Sequence, residues 1–134
     1  LHIHPGHLPD IRGADGLLWS TLIRKKLGVS AFIMAPGIDT GDLVVTEEFA
    51  PLQFNLEPDQ RADDKMLYQA IYSFYDPVVR AVLLGKILSA VSSEDAENIT
   101  LKTVPQDLDK GETYHFMTKE LTARALEIIF PVKP

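Results

Sequence analysis

The chain has 134 residues, a length suited to one domain, and its 46% hydrophobic content is enough to build a core. A formal net charge of −6 argues against the basic surface that non-specific nucleic-acid binding requires. The lack of cysteine excludes disulfides and thiolate metal sites, no stretch approaches the ~20 apolar residues of a membrane span, and nothing reads as a signal peptide, so a cytoplasmic setting is expected.

The first residues, Leu1 to His4, alternate apolar and polar before Pro5 and Gly6, as the end of a strand running into a loop would. The chain starts without Met on what reads as mid-strand, and we expect an upstream part that completes the domain. Past the loop PGHLPDIRGADG, Leu17, Leu18, Leu22 and Ile23 recur at helical spacing beside Trp19. Asp15 is the expected N-cap and Gly28 the expected stop. The cations Arg12, Arg24, Lys25 and Lys26 form the one basic cluster and read as a solvated helix end.

VSAFIM and LVVTEEF read as two strands that pair as a hairpin across the turn GIDTGD. A proline-containing loop over 50–62 precedes a long helical stripe of Leu67, Ala70, Ile71, Phe74, Val78 and Val82. A kink is expected at Pro77 and an end at Gly85. Beyond the polar linker SSEDAEN come a short strand candidate, ITLKTV, and a strand or loop piece, GETYHF. Thr118 then caps a last helix with Leu121, Ala125 and Ile129 inward, closed by Pro131. The order is α/β with a short strand-helix extension.

Three of the four histidines, His2, His4 and His7, fall in the first seven residues. On a strand, His2 and His4 share a face, and with His7 and Asp39 they are candidate metal ligands in an HxHxxH stretch. The bland alternative is strand-end histidines bonded to backbone. Asp39 sits between glycines in GIDTGD, either as an ordinary turn residue or where the backbone approaches a ligand.

The order IHPxxLPxxRG, a helix with Trp, GVSxFxM and GIDTGD resembles the 10-formyltetrahydrofolate-dependent formyltransferases, which act on methionyl-tRNA, glycinamide ribonucleotide, amino sugars or hydroxyornithine. The resemblance rests on His4, Pro5, Leu8, Pro9, Arg12 and Gly13 in the first motif and Asp39, Thr40 and Gly41 in the second, and it spans residues 1–85. It implies a Rossmann-like fold with a mixed sheet, incomplete at its N-terminal side. Residues 1–88 would be the C-terminal half of the catalytic domain and 89–134 an extension packed on it.

The resemblance also implies roles. His4 and Asp39 become the catalytic pair, with His2 assisting where the family pattern has asparagine. Gly37, Ile38, Thr40 and Gly41 contact the co-substrate 10-formyltetrahydrofolate, and Pro5, Leu8 and Arg12 contact the acceptor. Gly6 replaces a usual serine and His7 a usual apolar residue. The acidic balance points to a small-molecule amine rather than tRNA: an amino-sugar nucleotide, a hydroxylamine or a purine precursor. No metal is expected for this chemistry. The alternatives are a 10-formyltetrahydrofolate hydrolase, an altered binding domain, and a metal-dependent hydrolase using the HxHxxH stretch.

Overall fold

A computed structural model describes residues 1–51, 53–57, 59, 62–91 and 100–132. Strands β1 (His2–His4), β3 (Leu27–Phe32) and β4 (Leu43–Phe49) form a three-stranded sheet in the order β1-β3-β4, antiparallel throughout. A second, parallel pair joins β2 (Ile11–Gly13) to β5 (Glu112–Tyr114). The α/β class is as expected, with parallel and antiparallel pairings divided between two sheets. β3 and β4 pair as the hairpin pattern foresaw, joined by the ten residues 33–42.

β3 is buried along its whole length, so both its faces are covered. Against it lie α1 (Gly16–Arg24) and α3 (Asp76–Ala90), the last part of a long helical stretch that begins with α2 (Asp64–Ala70) and a π-helical turn (Ile71–Tyr75). Helix α4 (Lys119–Ile129) packs on α1 and α2. One core results, with Leu17, Leu18, Val29, Leu83, Leu126 and Ile129 almost fully enclosed.

Several local expectations need correction. Asp15 occupies the cap position of α1 in a left-handed conformation and gives no side-chain cap. Helix α1 ends at Arg24 with Lys25 in the left-handed region, while Gly28 lies inside β3. A Cβ on Gly28 would come within 2.4 Å of the His7 amide nitrogen, so close approach of that loop, rather than helix termination, requires glycine there. Ile23, expected inside, is 50% exposed, and Ser20 and Thr21 are buried in its stead. The cations do not form one solvated end. Arg24 pairs with Asp10 and Glu48, Lys26 pairs with Glu48, and Arg12 is buried elsewhere.

The long helix does not break at Pro77 or stop at Gly85. Pro77 falls in the first turn of α3, where its missing N–H is harmless. The irregularity lies one turn earlier, in the π-helical turn, which fits one additional residue into a helical repeat. The buried stripe is therefore Leu67, Ile71, Tyr75, Val79, Leu83 and Ile87, while Phe74, Val78 and Val82 are exposed. From residue 74 onward each inward position is displaced by one.

Thr118 caps α4, its Oγ1 accepting from the Leu121 amide at 3.4 Å. The linker SSEDAEN and the first residue of ITLKTV lie outside the described residues. The remainder of ITLKTV forms no strand, and Val104 instead makes an isolated bridge to Leu43. Among the described residues no helix is long and apolar enough to cross a membrane.

Candidate active site

The end of β1 delivers His4 into the protein and leaves His2, two residues back on the same face, half-buried. Ser30, opposite His4 on β3, fixes the loop that follows. Its hydroxyl donates to the Gly6 carbonyl at 2.8 Å, accepts from the Leu8 amide at 2.9 Å, and receives Thr46 Oγ1 at 3.0 Å. The loop then turns back into β2.

The His4 ring is buried between Gly6 and Gly16, where added Cβ atoms would meet its Nε2 at 2.4 and 3.0 Å. Nε2 lies 2.9 Å from the Ile11 carbonyl oxygen. A carbonyl only accepts, so Nε2 carries the proton. Nδ1 faces Asp39 Oδ2 at 3.4 Å. Burial lowers the His4 pKa below its ordinary value, against the Asp39 carboxylate, which raises it.

Asp39 stands in the β3–β4 connection with φ 53°, in the left-handed region that aspartate tolerates better than most residues. Its Oδ2 also accepts from the Gly13 amide at 2.8 Å. Gly13 itself has φ 91°, and a Cβ there would lie 2.2 Å from the Tyr114 carbonyl oxygen. The parallel β2–β5 pairing therefore sets the amide that holds the aspartate. Gln106 fixes the same loop from outside, donating through Nε2 to the carbonyls of Asp39 and Gly41.

A shallow cavity of about 240 Å³ opens beside this cluster, lined by His2, Phe32, Met34, Gly37, Ile38 and Asp39 among others. The His2 ring stands edge-on to Phe32, with centroids 5.4 Å apart. One ligand atom from each of His2, His4 and Asp39 lies within 4.8 Å of the others. His7 does not join them. It faces Asp10 at 3.3 Å and Glu48 at 3.8 Å, inside the Arg24–Lys26 ion-pair cluster. Those cations hold the Glu48 carboxyl below its usual range, Lys26 foremost.

Of the other residues singled out in the sequence, Gly37 and Ile38 border the cavity. Thr40 turns its hydroxyl to the Pro36 carbonyl at 2.8 Å, and Gly41 packs on the Ile33 carbonyl. Leu8 is fully buried, and the Pro5 carbonyl lies against Gly16. Arg12 spends its guanidinium on the carbonyls of Pro9, Lys110 and Gly111, at 3.0 to 3.3 Å. The Leu8 and Arg12 side chains are thus engaged by the protein's own frame.

Sequence reasoning missed Ser30, Gln106 and Asp76. Asp76 is 2% exposed, receives Arg80 Nη2 at 2.6 Å, and acts electrostatically on His4. Burial raises its pKa, opposed by Arg80. Ser30 opposite His4 could have been read from strand pairing, whereas nothing local marks Gln106.

No family model matches the chain. Among solved structures, a multiply substituted variant of HypX from Aquifex aeolicus aligns over 95% of this chain and 22% of its own, at 21% identity and a TM-score of 0.56. A protein of Mycobacterium tuberculosis, Rv3404c, taken to be a sugar N-formyltransferase, aligns over 94% of this chain and 53% of its own, at 14% identity and a TM-score of 0.54. At these identities the likeness concerns the fold. The chain thus has a formyltransferase-like fold and spans about half the length of the mycobacterial protein and about a fifth of HypX.

Proposed function

We propose that this chain carries the chemical centre of an enzyme that moves a formyl group from 10-formyltetrahydrofolate to the amine of a small molecule. The observation that supports this reading is the meeting of His2, His4 and Asp39 at one open cavity, on a fold of formyltransferase type. The motif resemblance names the donor.

The chemistry follows from what each group offers. The acceptor nitrogen attacks the formyl carbon, a C–N bond forms, and the carbonyl oxygen becomes negative. His2, at the cavity wall, supplies a ring N–H to that oxygen. Asp39, also at the wall, takes the proton leaving the amine; as the oxyanion collapses to a carbonyl, the bond from the formyl carbon to the tetrahydrofolate nitrogen breaks and that nitrogen takes up the proton. His4 is buried behind Asp39 and does not line the cavity, so it is a positioning residue that packs against the carboxylate, while the Gly13 amide donates to Asp39 Oδ2. An acidic chain repels polyanionic RNA, which favours a small-molecule amine as acceptor: an amino-sugar nucleotide, a hydroxylamine or a purine precursor.

The test is to incubate the full-length protein with 10-formyltetrahydrofolate and a panel of small amines, following tetrahydrofolate release. Release that depends on one amine, and falls ~10²–10⁴-fold in Asp39→Asn, supports the reading. Release into water without any amine would identify a hydrolase. Silence with every amine and with water would remove both enzymatic readings and leave a binding domain.

A further inference from the structure

Because His4 Nε2 donates to the Ile11 carbonyl, the neutral ring presents a lone pair at Nδ1. That lone pair points at Asp39 Oδ2 across 3.4 Å, and the same oxygen already accepts from the Gly13 amide. Two acceptors facing one another at this distance repel unless a cation stands with them. A single proton satisfies one line between two atoms. Here a third donor of the same kind is at hand, because residues two apart on β1 put His2 beside His4.

The surroundings match what a bound cation needs. Ligands held ~2.0–2.2 Å from a tetrahedral zinc ion stand roughly 3.3–3.6 Å from one another. The His4–Asp39 separation already has that value, and the three donors lie within 4.8 Å of each other. Ligating histidines give their second ring N–H to a carbonyl or carboxylate, and ligating carboxylates are themselves hydrogen-bonded. His4 to Ile11, and Gly13 to Asp39, supply both arrangements. The adjoining cavity of about 240 Å³ leaves the fourth position open to water or another ligand.

We propose that His2, His4 through Nδ1, and Asp39 bind one divalent transition-metal ion of the zinc class. Two imidazoles and a carboxylate are a borderline donor set that suits such an ion and not calcium or magnesium. The set differs from the HxHxxH stretch visible in the sequence, because His7 is turned to Asp10 and Glu48 and Asp39 takes its place. Binding stands on this geometry alone. Its consequence for catalysis rests on the formyl-transfer reading: an ion on His4 Nδ1 and Asp39 occupies the carboxylate that would take the amine proton, so zinc inhibits transfer.

The experiment uses full-length protein dialysed against chelator and then metal-free buffer. Cobalt(II) is titrated while visible absorption is followed, and zinc is titrated by calorimetry. One ion per chain is expected, with zinc bound in the micromolar range or tighter. His2→Asn and Asp39→Asn should each weaken zinc at least tenfold, while His7→Gln leaves it unchanged. Circular dichroism confirms that each variant is folded, and His2, being half-buried, keeps the test valid if Asp39→Asn does not fold. No saturable binding up to 100-fold excess of zinc, or a site indifferent to His2→Asn, overturns the proposal. Formyl transfer measured in chelator reports on the proposed function separately, so either can fail without the other.

Discussion

Asp15 offers the clearest quantitative test of how the fold is held around the site. It is 7% exposed, and its carboxylate accepts three hydrogen bonds: from Tyr68 Oη at 2.7 Å, Tyr72 Oη at 2.9 Å and the Met117 amide at 2.9 Å. One side chain thus joins the start of α1, the α2–π stretch and the entry to α4. Hydrogen bonds to a charged group contribute about 1.5–3 kcal/mol each, and the three donors stay behind when the acceptor is removed. Alanine also tolerates the left-handed conformation poorly, at about 1–2 kcal/mol. Allowing for the partial exposure of Tyr68 and for relief of burying a charge, Asp15→Ala should cost about 4–5 kcal/mol, most of a small domain's typical stability.

Asp15→Asn separates the contributions. The amide oxygen retains two acceptor sites for the phenols, asparagine accepts the left-handed conformation, and the amide nitrogen cannot accept from Met117. Its cost should be about 1–3 kcal/mol. Urea unfolding of the wild type and both variants, with midpoint and slope compared, gives the values directly. The reasoning fails if the two variants are equally stable, or if both lie within about 0.5 kcal/mol of the wild type.

Burial, reinforced by the same carboxylate, raises the Tyr68 and Tyr72 pKa values well above the ordinary tyrosine value. Alkaline spectrophotometric titration should therefore show two phenols that ionise only as the protein unfolds, and Asp15→Asn should release them earlier. Gly13→Ala is expected to destabilise by more than about 2 kcal/mol, from the positive φ and the clash with Tyr114, and to reduce transfer at least as strongly as Gln106→Ala. Gln106→Ala frees the Asp39 loop from outside the core, so it should lower kcat several-fold with little change in the urea midpoint. Asp76, raised in pKa by burial, binds its proton more tightly folded than unfolded. The stability it contributes is present below the ordinary carboxylate pKa and is lost as pH rises through the folded value. The advantage of wild type over Asp76→Asn should accordingly shrink on going up from pH ~4, and a flat difference would contradict this.

The elements most legible in the sequence were those with local causes. The β3–β4 hairpin, the strand that carries His2 and His4, and the Thr118 cap all follow from period, turn residues or a single hydroxyl. Asp39 is singled out in the sequence by a motif, and the structure brings it beside His2 and His4. Gly28 reads as a helix stop because helix-stopping and close packing both select glycine, and only the position of the His7 backbone separates them. The β2–β5 pairing joins segments about a hundred residues apart and leaves no periodic trace in three-residue strands. Arg12 reads as part of a solvated cluster because three of its four carbonyl and hydroxyl partners, on Lys110, Gly111 and Thr113, come from that same distant contact. The Asp15 side chain looked like a cap because its real partners are tyrosines more than fifty residues away.

The π-helical turn at Ile71–Tyr75 has a bearing on how this chain tolerates changes in length. The stripe read from the sequence and the stripe that is buried differ by one residue after position 71, which is the signature of an inserted residue accommodated within a helix. Deleting the exposed Ser73 would restore ordinary helical hydrogen bonding and carry Tyr75, Val79, Leu83 and Ile87 onto the face they already occupy. The deletion is therefore expected to be borne by the helix without emptying the core. A second insertion in the same turn finds no such reserve, since the next helical repeat would have to turn Leu83 and Ile87 outward.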